Sequence, residues 1–206
     1  VRLLLLVVPL TVVTYVTVDY QMKWIASSKS EVELALFFGS FFGWVGVAQV
    51  VFQFGIAQRL LMRFGIINCL MIVPLMLGAA SIALYTGSFF EFYGMGILAL
   101  SAGVNFLRMT LSETLDLPSR ELLFLPLPSR VRQRLQPLLS GAWAPAAQGI
   151  GAAIMLLALQ FDVAVESLSL VALFCTCGLL LALVRLRPRY RQTLADTLGE
   201  TELDAT

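Results

Sequence analysis

Long apolar stretches separated by short polar segments dominate the chain. The first of them, from Leu3 to Val18, carries no charge, and a hydrophilic turn from Ser27 to Glu31 precedes the second. A membrane-spanning helix needs about 20 mostly apolar residues. The pattern therefore predicts an all-α bundle of six transmembrane helices. Their predicted bounds are residues 3–25, 32–56, 65–85, 89–110, 138–161 and 167–186.

Two polar parts of the chain lie outside these predicted spans. The segment from Leu111 to Pro137 separates the fourth span from the fifth, and its simplest interpretation is a cytoplasmic loop. The charged tail, residues 187–206, predicts either a short surface helix or a linker to a further cytoplasmic domain. The predicted organisation is thus a membrane domain over residues 1–186 followed by a tail.

The basic residues indicate the orientation of the bundle. If the chain crosses the membrane six times, only Lys23 and Lys29 of its 14 lysines and arginines lie on the side of the membrane opposite the N-terminus. Loops on the cytoplasmic side of a membrane carry an excess of lysine and arginine. Both termini are therefore predicted to be cytoplasmic.

Composition narrows the possible functions. Hydrophobic residues make up 59% of the chain and charged residues 13%, against about 25% charged in soluble domains. The chain has no histidine, so a hydrolase triad lacks its usual base. We expect no enzyme activity, no catalytic residue, no metal or other cofactor, and no nucleic-acid partner. We expect membrane lipid to surround the helices.

Asp19 and Lys23 stand at the outer end of the first predicted span. Residues four apart share one face of a helix. The pair therefore has two interpretations that the residues alone leave open. It is either part of a polar path through the bundle that holds an anion, or an anchor at the membrane surface.

Three further polar groups also allow a functional and a structural interpretation. Gln49 and Gln53 lie four apart and predict either hydrogen bonds between helices or a polar path. Arg120 and Glu121 belong either to such a path or to an ordinary loop. Arginines at alternate positions fit either a patch for anionic headgroups or the general charge bias of an inner loop; they are Arg130, Arg132 and Arg134.

Small residues recur at helical spacing in the second and fifth spans. Gly39 and Gly43 form one set, and such residues let membrane helices approach closely. We therefore expect them to mark contacts between helices. The second set is Gly141, Ala142, Ala146, Gly149 and Ala153.

Several of these segments, in the same order along the chain, resemble one carrier family. Asp19-Tyr-Gln-Met-Lys23 resembles the acid-x-x-x-Lys signature in the seventh helix of the nucleotide (ATP/ADP) translocases of plastids and intracellular bacteria. These carriers belong to, or lie close to, the major facilitator superfamily. Arg120-Glu-Leu-Leu-Phe-Leu-Pro-Leu127 resembles their Lys-Glu-Met-x-Tyr-Ile-Pro-Leu block. The remaining points of similarity are Phe37-Phe-Gly39, Gln53, Arg59-Leu-Leu-Met-Arg-Phe-Gly65, Gly141 and Gly149-Ile-Gly151.

The resemblance implies that this chain is the C-terminal six-helix half of a twelve-helix carrier in a bacterial inner membrane. Such a carrier moves an anionic solute, for example a nucleotide, by alternating access. The implied partner is a second six-helix half, from the same gene or a second copy of the chain. The residues implied to line the substrate path are Asp19, Lys23, Gln53, Arg120 and Glu121.

The sequence departs from the family at three charged positions, one of which, a basic residue expected after Gly141, falls near Ala144 and Pro145. The family has a basic residue and then an aspartate just before its glycine-rich helix, where this chain has Gln136 and Ser140. The loss of these charges favours an alternative function. In that alternative the membrane domain does not transport a solute. It is an anchor or sensor module that positions a cytoplasmic regulatory domain.

Overall fold

A computed structural model describes the chain as a bundle of helices. The described residues are 2–89, 95–123, 129–161 and 165–203, and no strand occurs in these ranges. The all-α prediction is confirmed for them. The helices are α1 (Arg2–Ala26), α2 (Glu31–Phe52), α3 (Gln58–Phe64), α4 (Ile66–Phe89), α5 (Met95–Leu111), α6 (Leu117–Leu123), α7 (Ser129–Leu138), α8 (Ala144–Gln160) and α9 (Val165–Leu203).

Local sequence signals explain where α2 begins and α3 ends. The Ser30 hydroxyl accepts a hydrogen bond from the Glu33 N–H at 3.5 Å, and the Glu33 carboxylate accepts one from the Ser30 N–H at 3.2 Å. This reciprocal cap satisfies N–H groups that the first turn of a helix leaves unpaired. Gly65, between α3 and α4, has a φ of +78°, which residues with a side chain rarely adopt.

In the part of the chain that the structure describes, three π-helical segments join pairs of helices without a break in the chain. They are π1 (Gln53–Ala57) between α2 and α3, π2 (Ser112–Asp116) between α5 and α6, and π3 (Leu139–Trp143) between α7 and α8. In π2 the Leu117 N–H donates to the Ser112 carbonyl, and in π3 the Ala144 N–H donates to that of Leu139. Both bonds span five residues, one more than in an α-helix.

Proline explains the position of π2 and π3. Pro118 and Pro145 each stand two residues beyond the end of a π segment. A proline inside a helix has no N–H to donate, and its ring clashes with the carbonyl four residues earlier. Those carbonyls belong to Thr114 and Gly141, the middle residues of π2 and π3. The wider π turn gives each carbonyl room.

The interpretation of Leu111–Pro137 as a loop is wrong for most of its length. Residues 112–123 and 129–138 are helical, as the continuation of α5 and as α7. The mostly polar composition of the segment suggested a loop, but several of its polar side chains are paired inside the bundle, as described below. Residues 124–128, including part of the family-like block, lie outside the described residues.

Within the described residues, four helical stretches are long and apolar enough to cross a membrane. They are Glu31–Phe64, Ile66–Thr86, Val131–Gln160 and Ser167–Pro188, and they overlap the predicted spans 32–56, 65–85, 138–161 and 167–186. The other two predicted spans fall on α1 and α5. Helix α1 carries Asp19 and Lys23, and the described part of α5 is 17 residues long. Beyond the sixth predicted span, the α9 backbone continues to Leu203.

The outer surface of these helices is also apolar. Phe54, Met62 and Phe174 are at least 80% exposed, and many aliphatic side chains beside them are more than half exposed. A soluble monomer rarely leaves so large an apolar surface in water. The exposed surface and the four apolar helices together indicate a membrane protein.

Helix α1 lies at the centre of the bundle. It packs against α5, α8 and α9, while α4 packs against α5 and α9 on the other side of the core. The side chains of Val18 and Met22 are at most 2% exposed. Because α1 is packed against several helices, its polar residues lie beside other helices as well as at the surface of the bundle.

The prediction that the glycine sets mark helix contacts is wrong within this chain. A Cβ atom added at Gly39, Gly43, Gly141 or Gly149 would have no neighbour within 4 Å. Helix contact occurs instead at Gly151, where an added Cβ would lie 3.2 Å from Val16 Cγ1. Small residues pack closely only where a neighbouring helix is present, and the sequence spacing does not show which face has one.

We expect Gly151→Ala to destabilise the protein more than Gly149→Ala. The two substitutions add the same methyl group to the same helix, but only the one at residue 151 meets Val16, including its Cβ at 3.3 Å. Overpacking of this kind costs about 1–3 kcal/mol. Unfolding of both variants in detergent micelles, followed by circular dichroism, measures the difference. Equal stability of the two would contradict the α1–α8 contact.

Candidate functional site: a charge ladder between α1 and α5

Asp19 lies between two cations. Its Oδ2 is 2.6 Å from Nζ of Lys23, one turn along α1. Its Oδ1 is 3.6 Å from Nη2 of Arg108, which comes from α5. The Asp19 side chain is 27% exposed and that of Lys23 is 57% exposed. The pair is therefore a half-exposed end of a set of charges that continues into the bundle.

Arg108 carries that set into the interior. It is 9% exposed, and its Nε donates to Oδ1 of Asn105 at 2.9 Å. Asn105 is fully buried and donates from Nδ2 to the Val18 carbonyl at 2.8 Å. The guanidinium also lies over the Tyr15 ring, with 5.3 Å between its central carbon and the ring centroid. A cation over an aromatic face is an attractive arrangement.

Asp116 forms the inner part of the set. Its Oδ2 accepts from Nη2 of Arg120 at 2.6 Å and from the Tyr15 hydroxyl at 2.9 Å, and its Oδ1 accepts from Nε of Arg120 at 3.2 Å. Asp116 is 5% exposed. A two-point bond between arginine and carboxylate is among the strongest polar contacts in proteins. This end of the set is fully paired.

We call these residues the charge ladder. Tyr15, Asp19 and Lys23 stand four apart on one face of α1, and side chains from the continuous helix α5–π2–α6 meet them. Along the ladder the charges alternate in sign from Lys23 to Asp19, Arg108, Asp116 and Arg120. The full set is Lys23, Asp19, Arg108, Asn105, Tyr15, Asp116 and Arg120.

The π2 segment sets the register of the ladder. An α-helix turns by about 100° per residue, so Arg108 and Asp116, eight residues apart, would point about 80° away from each other. A single π turn accommodates one extra residue, which returns the two side chains to within about 20° of one face. Both therefore reach Tyr15, one with its guanidinium and the other with its carboxylate.

The structure brings some of the predicted site residues together and not others. Asp19, Lys23 and Arg120 belong to the charge ladder. Gln53, the first residue of π1, and Glu121, on α6, are exposed. Gln49 donates from Nε2 to the Met109 carbonyl at 3.1 Å, which is the hydrogen bond between helices that its position predicted.

Four residues of the ladder were missed by the sequence analysis: Tyr15, Asn105, Arg108 and Asp116. Arg108 was counted among the cytoplasmic bases, but its side chain lies in the interior beside Asp19. Two spacings in the sequence could have indicated Tyr15 and Asp116. Tyr15 is four residues before Asp19, and Asp116 is four before Arg120, which is the spacing of a helical ion pair. The second lay in the segment interpreted as a loop.

Comparisons of the chain with protein-family models, curated proteins and solved structures found no match. No group of three histidine, cysteine, aspartate or glutamate side chains suited to a metal occurs in the part of the chain that the structure describes. The groups that the ladder offers a ligand are cations and carboxylates.

The positions that depart from the family pattern form a neutral local contact. The Ser140 hydroxyl donates to the Gln136 carbonyl at 2.8 Å, on an exposed part of α7 and π3. Neither residue contributes a charge to the bundle. Of the three alternating arginines, Arg134 is exposed and Arg132 is half-buried, and the side chain of Arg130 lies outside the described residues.

Proposed function

We propose that this chain is a six-helix transmembrane domain of a carrier that moves an anionic solute, such as a nucleotide, by alternating access. Its termini face the cytoplasm, in a membrane such as the bacterial inner membrane, and the helical tail leads to the cytoplasmic side. The observation that carries the proposal is the charge ladder. Ionisable residues inside a membrane bundle are costly and generally serve a function.

Unpaired polar groups near the ladder support a hydrated path. The hydroxyls of Thr110 and Ser119 are buried and have no hydrogen-bond partner among the described residues. Both lie on the α5–π2–α6 helix that carries the inner half of the ladder. Buried polar atoms of this kind are commonly satisfied by water. Water in the interior suits a carrier better than a purely structural bundle.

A carrier of this type needs a second half, and the bundle has helix faces that no other described helix covers. Gly39 and Gly43 on α2 and Gly149 on α8 are exposed and have no neighbour. Small residues of this kind are common where membrane helices meet. We propose that these faces meet a second six-helix half, from the same gene or from a second copy. Alternating access then consists of one half rocking against the other.

One observation favours a second candidate function. Gln136 and Ser140 are neutral and pair locally, and Asp116 is fully bonded to Arg120 and Tyr15. A bundle whose polar groups are satisfied in this way suits an anchor or sensor for a cytoplasmic domain. In that case the C-terminal part of α9 would connect the membrane domain to the cytoplasmic domain.

Uptake by vesicles distinguishes the two candidates. We expect the full chain in phospholipid vesicles preloaded with ADP to take up external labelled ADP, and Lys23→Ala to lower the initial rate about tenfold. Lys29→Ala, which removes the other base on the same side, should leave the rate unchanged. If no uptake occurs when the second half is also present, the transporter proposal is wrong. If Lys23→Ala transports normally, Lys23 is not part of the path.

A further inference from the structure

The Arg108 guanidinium is held on one edge and one face. Its Nε bonds to Asn105, which is itself bonded to the Val18 carbonyl of α1. Its central carbon lies over the ring of Tyr15, and the Tyr15 hydroxyl is bonded to Asp116. These contacts fix the direction in which the other edge of the guanidinium points. Preorganisation of this kind is what a binding site for a specific group requires.

That other edge carries four N–H groups with no hydrogen-bond acceptor among the described residues. Arginine has five N–H donors, and only Nε is used. The nearest carboxylate oxygen, Oδ1 of Asp19, is 3.6 Å from Nη2, which is too far for a hydrogen bond. The charge of this nearly buried cation is thus partly balanced, but its Nη1 and Nη2 groups lack an oxygen acceptor among the described residues.

The accessible approach to Arg108 is from the side of Asp19 and Lys23. Both side chains are partly exposed there. On the opposite side, between α4 and α5, Arg108 borders a cavity of about 30 Å³ whose other lining residues are apolar, among them Val73, Leu77 and Val104. That cavity has room for about one water molecule. An anion would therefore arrive at the place that the Asp19 carboxylate now occupies.

We infer that Arg108 and Lys23 form a binding site for an oxyanion group, carboxylate or phosphate, and that Asp19 is a resident anion which this group displaces. A planar guanidinium binds such groups through two parallel bonds, and lysine adds a point charge. The exchange of one anion for another keeps the buried cation compensated in both states. The inference rests on the proposed function only in taking the group to belong to a transported solute.

Arg120 is a poorer candidate for this site than Arg108. Its Nε and Nη2 are both bonded to Asp116. A ligand would have to break these two hydrogen bonds, whereas at Arg108 it would replace one long ion pair. The same geometry assigns opposite effects to two residues of the ladder. Loss of Arg108 should weaken anion binding, and loss of the Asp19 charge should strengthen it.

Equilibrium binding by the full chain in neutral phosphatidylcholine nanodiscs tests this without any transport step. The probes are pyrophosphate and succinate, titrated calorimetrically. We expect Arg108→Gln to weaken binding at least about tenfold, as the loss of charged hydrogen bonds does, and Arg108→Lys to weaken it less. Asp19→Asn should strengthen binding several-fold. Arg63→Gln, which removes an exposed arginine at the end of α3, should have no effect.

Each result has one meaning for the inference. It is wrong if neither probe binds, if Arg108→Gln binds normally, or if Asp19→Asn weakens binding. Tighter binding of pyrophosphate than succinate identifies phosphate as the preferred group. If nanodiscs containing phosphatidylglycerol abolish binding of both probes, a lipid headgroup is the source of the oxyanion. If the probes bind but no vesicle uptake occurs, the anion site is supported and the transport proposal is wrong. If uptake occurs and Arg108→Gln does not change it, the transport proposal is supported and the assignment of Arg108 to the site is wrong.

Discussion

Replacement of Asp116 by leucine is expected to lower the free energy of unfolding by about 3–5 kcal/mol, the usual cost of removing one partner from a buried ion pair. The carboxylate accepts two hydrogen bonds from Arg120 and one from Tyr15. Its loss leaves a mostly buried cation and a hydroxyl without an acceptor. No other substitution in the ladder removes three bonds at once.

Two further variants separate this effect from a general effect of leucine in π2. Glu113→Leu changes an exposed carboxylate in the same segment and should cost less than about 1 kcal/mol, as surface substitutions do. The double variant Asp116→Leu with Arg120→Leu should recover most of the lost stability, because an apolar pair can replace a buried ion pair. Denaturation of the full chain in micelles by sodium dodecyl sulfate measures all three. If Asp116→Leu and Glu113→Leu were equally stable, the inner end of the ladder would not hold the bundle together.

The apolar pattern was sufficient to predict the helical class and most helix positions. The long apolar runs of 66–89 and 165–186 lie in α4 and α9, and α4 begins directly after Gly65. Hydropathy reports the transfer of side chains from water into an apolar surrounding, which is the main requirement for a spanning helix. The helices that were predicted correctly are therefore those whose positions depend mainly on the transfer of their side chains from water into an apolar surrounding.

The segment after Leu111 shows where hydropathy fails. Its polar and charged residues lower the hydropathy, yet residues 112–123 continue the helix, and Asp116 and Arg120 are paired inside the bundle. Hydropathy counts the cost of each charge separately and takes no account of a partner. The four-residue spacing of this pair predicts a helix, but its partner Tyr15 is 101 residues distant in sequence. Such a contact depends on the packing of α1 against α5.

The π2 segment limits prediction of the site in a second way. On a regular helix Arg108 and Asp116 would face in different directions, and only one of them would reach α1. Pro118 gives the local reason for an irregularity, but a proline alone does not say whether the helix kinks, ends or widens. Of the ladder residues that the sequence did identify, Asp19 and Lys23 lie on a helix without such an irregularity, and Arg120 follows π2 in α6.

The central claim is that an aqueous anion reaches the ladder at Asp19. Asp19→Cys and Thr17→Cys test it as a pair, in a background in which Cys69, Cys175 and Cys177 are replaced by alanine. The two positions are two residues apart on α1, but Asp19 lies between Lys23 and Arg108, whereas Thr17 is fully buried and bonded to the Val13 carbonyl. A water-soluble thiol reagent with a sulfonate group should be drawn to the two cations.

The deciding measurement is the rate at which this sulfonate reagent modifies each cysteine in intact phospholipid vesicles. We predict that Asp19→Cys reacts at least about 100-fold faster than Thr17→Cys, since reaction at a buried position requires a local opening of the bundle that costs several kcal/mol. We also predict that pyrophosphate slows the reaction at residue 19, and that a cationic reagent of similar size reacts there more slowly than the sulfonate. Equal rates at the two positions, or a rate at residue 19 that pyrophosphate does not change, would contradict an anion path along the charge ladder.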